Sequence, residues 1–101
     1  MIPLGMAIRS FQDRATEEFF FTGRPAGKAG WRGVASVARR KLDALHYATD
    51  LRDMRSPPGN RLEALRGGLK GFHSIRINDQ WRVVFRWAAA GAEAVRISDY
   101  H

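Results

Sequence analysis

Apolar and polar positions alternate most strictly between His73 and Trp87, in HSIRINDQWRVVFRW. That is the period of a β-strand, and it breaks once, at Asn78-Asp79-Gln80, a polar stretch suited to a tight turn. With Ile77 opposite Trp81, Ile75 meets Val83 and His73 meets Phe85, which makes one face largely apolar. The other face then carries Arg76 opposite Arg82, flanked by Ser74, Val84 and Arg86. A slip of one residue would mix the faces and set Arg82 beside Ile77, so the pattern selects the first register. After Trp87 the pattern predicts a small loop over residues 88–92 and a last strand over residues 94–98. The count pairs Trp87 with Glu93, Phe85 with Val95, Val83 with Ile97 and Arg82 with Ser98. Continued, it sets Asp99 against Trp81, on the face away from the arginines. Tyr100 then falls on the side of Arg76 and Arg82, with His101 beside it.

Upstream the period changes. Residues 6–11 (MAIRSF) read as a short edge strand. Asp13 is placed to cap a helix that has Glu17 and Glu18 close enough to favour its positive end and that carries Ala15, Phe19 and Phe20 before ending ahead of Gly23. Residues 22–30 (TGRPAGKAG) form a loop, read either as a linker or as a basic flap built on Arg24 and Lys28. Residues 31–48 predict the clearest helix. Val34, Val37, Ala38, Lys41, Leu42 and Leu45 repeat at helical spacing, the stem of Lys41 lies at the stripe's edge, and Arg39, Arg40 and Asp43 face water. His46 and Tyr47 read as packing or as end-of-helix charge. One short turn follows at residues 50–54, and Ser56-Pro57-Pro58-Gly59-Asn60 breaks regular structure. Residues 61–66 return to an irregular extended segment. Residues 67–71 (GGLKG) are a flexible connection carrying Lys70. The expected architecture is α+β, with two N-terminal helices packed on one face of a small antiparallel sheet, as a single domain over residues 1–101.

Composition narrows the function. Seventeen Lys and Arg stand against ten Asp and Glu, for a net charge of +7, and the basic residues are spread over both halves of the chain. A basic folded domain points to nucleic acid, an anionic surface or an acidic partner. The dominance of Arg favours planar recognition of phosphate. No basic amphipathic helix with an aromatic face and no spanning run supports a membrane role, and the apolar start lacks the basic region of a signal peptide. The absence of cysteine excludes disulfides and thiolate-bound zinc and fits a reducing cytoplasm. Three histidines without ligand spacing argue against a metal, and no cofactor is expected.

The candidate chemistry lies on the arginine face. Guanidiniums placed opposite one another repel unless an anion lies between them, and phosphate suits that place; two solvated surface arginines are the plainer alternative. Arginine, tyrosine and histidine around a phosphate suit metal-free RNA cleavage. In that reaction the ribose 2'-OH attacks its own phosphate, a base takes its proton, an acid protonates the leaving 5' oxygen, and cations stabilise the charge. A frayed end is the other reading of Tyr100-His101. The residues by themselves go as far as a basic α+β domain that binds phosphate.

Three runs closely resemble the HigB-type toxins, the "plasmid maintenance killer" branch of the RelE/ParE superfamily. They are LRDMRSPPGNRLEAL (residues 51–65), HSIRINDQWRVVFRW with its QWR at residues 80–82, and ISDYH (residues 97–101). The resemblance extends from Ile8 to His101, and the order SPPGNRLE, INDQWR, DYH is specific as a set. It implies a RelE-like, microbial-ribonuclease-type fold and the toxin of a type II toxin–antitoxin pair. The implied activity is that of a ribosome-dependent, metal-independent mRNA endoribonuclease that blocks translation in the cytoplasm. Its implied partners are the ribosome with its mRNA and a helix-turn-helix antitoxin, through which alone it meets operator DNA; no membrane is involved. By position, Arg82 looks like the phosphate-binding catalytic arginine, and Tyr100 and His101 like the catalytic tail, with Asp99 beside them. Arg66 stands where relatives often carry a basic residue before glycine, and Lys70 joins it as an RNA-binding candidate. Arg76 and Asn78 compete for a second phosphate contact, because some relatives have their second arginine where this chain has Asn78. ParE-like members share the fold and bind gyrase, so a non-enzymatic gyrase-binding toxin, or a plain ribosome- or RNA-binding module, is the rival. The titratable DYH end favours the nuclease.

Overall fold

Strand β3 (Trp81–Ala88) is the central ladder of the molecule. The computed structural model describes residues 8–99. In it β3 pairs antiparallel with β2 (Phe72–Arg76) on one side and β4 (Gly91–Asp99) on the other, while the two-residue β1 (Glu63–Ala64) adds to β2. The strand order is β1-β2-β3-β4, and helices α1 (Arg14–Thr22) and α2 (Ala35–Tyr47) pack on one side of the sheet. The chain is thus α+β with an antiparallel sheet, as its pattern predicts.

The β2–β3 register is the expected one. His73 pairs with Phe85, Ile75 with Val83 and Arg76 with Arg82. The loop closes where the Ile77 N–H donates to the Trp81 carbonyl at 2.9 Å. Ile75, Val83 and Phe85 are fully buried against Ala38, Leu42 and Leu45 of α2 and Phe19 of α1. The i, i+3, i+4, i+7 stripe therefore meets the apolar face of the sheet. Helix α1 starts where Asp13 accepts the Thr16 N–H at 2.7 Å and stops at left-handed Gly23 (φ 76).

Three expectations need correction. Helix α2 begins at Ala35, not Trp31: Arg32–Val34 form a 3-10 turn, and Val34, at its N-cap, has no side-chain oxygen to start an α-helix. The loop over residues 88–92 contracts to a tight turn, because Ala88 pairs with Gly91 (φ 127). A β-bulge follows, in which two β4 residues oppose Phe85 and Ala94 is left-handed (φ 50). Trp87 therefore pairs with Ala92 and Arg86 with Glu93, one residue off the expected count. Past the bulge the count holds again, with Val83 on Ile97, Arg82 on Ser98 and Trp81 on Asp99.

The outer edge of β4 is covered by the segment leading into α1. Ile8 bridges Ala92 and Phe11 bridges Val95, both in parallel, which makes the expected edge element a pair of bridges. The Ser10 carbonyl accepts the Val95 N–H at 3.1 Å, and Ser10 Oγ accepts the Ala94 N–H at 2.8 Å. Further along, Oγ1 of the buried Thr16 accepts the Ile97 N–H at 3.1 Å.

The α2–β1 connection is anchored by buried Asn60. Its Nδ2 donates to the carbonyls of Met54 (3.1 Å) and Ser56 (3.2 Å), and its Oδ1 accepts from Lys41 Nζ. Thr16→Val keeps the shape but leaves the Ile97 N–H buried without an acceptor. It should cost about 1–3 kcal/mol in chemical denaturation, while Thr16→Ser stays near the parent. Equal stability of the Val variant and the parent would show that Thr16 does not hold this edge.

Candidate functional site

Alternation along the paired strands decides what the face away from the helices carries. Strand β2 presents Phe72, Ser74 and Arg76, β3 presents Arg82, Val84 and Arg86, and β4 presents Glu93, Arg96 and Ser98. Ser74, Val84 and Leu65 are buried outside the main core cluster, so parts of this face are shielded and its arginines rise from a packed base. Arg86 is committed locally, to Glu93 at 3.0 Å and to the Phe72 ring at 5.7 Å.

Arg76 and Arg82 lie directly opposite each other, both half-buried rather than fully solvated. Their guanidiniums turn to the hairpin loop. Arg76 Nη2 donates to Asp79 Oδ1, and Arg82 Nη1 donates to the carbonyls of Asn78 and, at 3.2 Å, Trp81. The hydrogen bond and charge of Arg76 hold the Asp79 carboxyl below its ordinary pKa, with Arg61 and Arg82 adding to the effect. Extending the β1–β2 register outward from Glu63 on Ser74 brings Arg61 level with Arg76. The backbone turns away from the sheet there, with Arg61 left-handed (φ 46) and exposed. Burial pushes the Lys41 ammonium below its ordinary pKa, and repulsion from Arg40 and Arg76 adds to this.

The expected site residues separate into groups. Arg76 and Arg82 come together. Asn78 is used by the loop, where its Oδ1 accepts the N–H groups of Gln80 (2.9 Å) and Trp81 (2.7 Å). Asp99 lies across from Trp81, on the other face from the arginines as counted, and accepts from Gln80 Nε2 at 3.0 Å. Arg66 and Lys70 are exposed and flank the 3-10 turn Gly67–Leu69. That turn leads into the far end of β2, roughly 13 Å along the strand from Arg76, so the backbone does not bring them to the pair. Tyr100 and His101 lie outside the described residues. His46 packs on Phe20 (ring centroids 4.9 Å apart) and His73 stacks on Phe85 (6.2 Å), so both histidines are packing residues.

The sequence reading missed Arg61, Asp79 and Arg96. Arg96 was accessible by alternation, two residues before Ser98. Arg61 and Asp79 gave no periodic signal, because both lie in irregular backbone. Among the described residues no helix is long and apolar enough to cross a membrane, and no three His, Asp or Glu side chains gather as a metal site would require.

The family model for RelE-like toxins of type II toxin–antitoxin systems, the HigB-like toxins, matches residues 9–101. The chain belongs to the HigB-like toxin family. It is 54% identical over 77 residues to Toxin HigB-1 of Vibrio cholerae, across 76% of this chain and 80% of that one. An uncharacterised protein of Haemophilus influenzae is 39% identical over 51 residues, half of each chain. Among solved structures, a YoeB/ParE toxin of Agrobacterium tumefaciens superposes with a TM-score of 0.54 at 19% identity, covering 95% of this chain and 100% of its own. The YoeB–YefM complex of Staphylococcus aureus gives 0.55 at 19%, covering 95% and 97%. These two share the fold, and the HigB-like match makes the chain a toxin of a toxin–antitoxin system.

Proposed function

We propose that this HigB-like toxin is a ribosome-dependent, metal-independent mRNA endoribonuclease that acts in the cytoplasm. The observation that carries this reading is the Arg76–Arg82 pair on the open face of the sheet. Ser98 pairs with Arg82 and Asp99 with Trp81, and Tyr100 and His101 follow directly in the chain. Arg82 exchanges the loop carbonyls for a phosphate oxygen, and the developing negative charge on phosphorus strengthens that contact. Arg76 is the second contact, in preference to Asn78, whose carboxamide oxygen holds the loop together. The 2'-OH attacks the phosphorus in line, a base accepts its proton, and an acid protonates the departing 5' oxygen. With His46 and His73 packed against aromatic rings, His101 is the imidazole left for one of these proton transfers. Tyr100 stacks on a base. Arg66 and Lys70, at the far end of β2, meet phosphates further along the RNA, and Asp99 precedes the catalytic tail on the other face of β4. The net charge of +7 suits a surface coated in ribosomal RNA phosphate.

The partner is a helix-turn-helix antitoxin, and it alone brings the toxin to operator DNA. We place its docking surface on the helical side. Phe21 and Tyr47 are the large apolar side chains exposed among the described residues, and Phe20 and His46 connect them in an unbroken chain of ring contacts. Asp13, Glu17 and Glu18 line a groove with Phe21, where Arg14 pairs with Glu18 at 2.8 Å, so a segment with apolar residues and a basic group to meet Glu17 fits there. Inhibition then comes from bulk that keeps the toxin off the ribosome.

Cleavage of mRNA on translating ribosomes tests the reading, with only the magnesium that ribosomes need. Arg82→Ala should keep the fold and lose roughly 2–4 kcal/mol of transition-state stabilisation. Arg82→Lys should recover little, lacking the two-pronged contact. Parent-rate cleavage by Arg82→Ala, a need for added manganese, or DNA-damage signalling without translation arrest would each overturn it.

Removing His101 should slow the cut by on the order of 10²–10⁴-fold with nearly unchanged melting. Full activity without it would move the proton transfer to Tyr100 or the ribosome. Phe21→Ser combined with Tyr47→Ser should escape the antitoxin in co-expression while still arresting growth. Continued neutralisation would place the antitoxin elsewhere.

A further inference from the structure

Asp79 takes no part in the cleavage just described, yet its carboxylate accepts a hydrogen bond from Arg76 and feels the charge of Arg82. We propose that Arg61, Arg76 and Arg82 form one anion site, and that the Asp79 carboxylate is its resident occupant, displaced when an RNA phosphate binds. This rests on the reading of the arginine face as a phosphate-binding surface.

The geometry supports each part. Arg76 faces Arg82 across a strand pair, and Arg61, in the irregular backbone ahead of β1, lies close enough for its charge to act with theirs on the Asp79 carboxyl. Like charges so close disfavour the fold unless an anion joins them. Asp79 supplies one from three residues away, and its hydrogen bond to Arg76 is made from a loop that Asn78 braces. The Asp79 side chain is 99% exposed while that of Arg76 is 29% exposed. The occupant therefore meets Arg76 from the solvent side and can leave without disturbing any strand.

Arg61 is held in place from behind. Its N–H donates to the Pro58 carbonyl at 3.1 Å, and buried Asn60 precedes it. Arg61 has no carboxylate hydrogen-bond partner among the described residues. An exposed ion pair is weak, and a phosphate brings more charge and more acceptor oxygens than a carboxylate. Asp79 thus lowers the pull of these arginines on any passing polyanion, yet yields to a phosphate that engages several of them together. In effect it sets a threshold for RNA binding.

The test is binding of a non-cleavable, 2'-O-methylated single-stranded RNA, read by fluorescence anisotropy across a salt series without ribosomes. Asp79→Asn and Asp79→Ser should each tighten binding by roughly two- to fivefold, the scale of an exposed ion pair. Each should also steepen the slope of log affinity against log salt by about 0.7, the effect of one more uncompensated cation. Arg61→Ala should weaken binding and shrink the gain from Asp79→Asn. Arg82→Ala is the control for the underlying reading. If it weakens binding while both Asp79 variants bind no tighter than the parent, the resident-anion proposal is wrong and the phosphate surface stands. If neither Arg82→Ala nor Arg61→Ala weakens binding, the phosphate surface itself is wrong, and the proposal falls with it.

Discussion

The pairing of β2 with β3 is the constraint on which the rest depends. Ile75, Val83 and Phe85 are fully shielded beneath the helices, and a one-residue slip would carry all of a strand's apolar side chains to the opposite side. The burial that holds this register also sets Arg76 against Arg82. The cationic face is therefore a geometric consequence of the core: wherever the helices hide one set of side chains, the alternate set must face the other way. Leu65, Ser74 and Val84 give that face a packed base, so its arginines stand on rigid strands rather than on a loop. For phosphate recognition this limits the conformational freedom that binding has to remove.

Much of this was legible in the sequence. Asp13 and Gly23 mark the ends of α1 by cap chemistry, and strict alternation gives the β2–β3 register residue for residue. The β3–β4 count fails at one point, the bulge at Ala94. A left-handed alanine carries none of the signal that glycine would, so nothing in AAAGAEAV announces the extra residue.

Loop positions are legible in a different degree. Asn78 was a candidate phosphate ligand by resemblance alone, but its carboxamide oxygen is used locally, which only the turn geometry reveals. Arg61 owes its place to Asn60, whose four-way role as donor to two carbonyls, acceptor from Lys41 and neighbour of the turn has no periodic signature. Arg66 and Lys70 illustrate the converse. Resemblance made Arg66, and Lys70 with it, RNA-binding candidates, while the length of β2 separates both from the arginine pair. Patterns thus report what the core requires, and say least where irregular backbone decides where a side chain goes.

The covered edge of β4 has a further consequence. Ser10 and Thr16 take up the N–H groups of Ala94, Val95 and Ile97, and the opposite edge of the sheet is the two-residue β1. Strand addition, the least sequence-dependent way for another chain to join a sheet, has little purchase on the sheet edges among the described residues. A partner that meets these edges reads side chains more than backbone. An interface of that kind can diverge one substitution at a time without cost to the fold. Closely related toxins built on this frame could in that way keep separate allegiances within one cell.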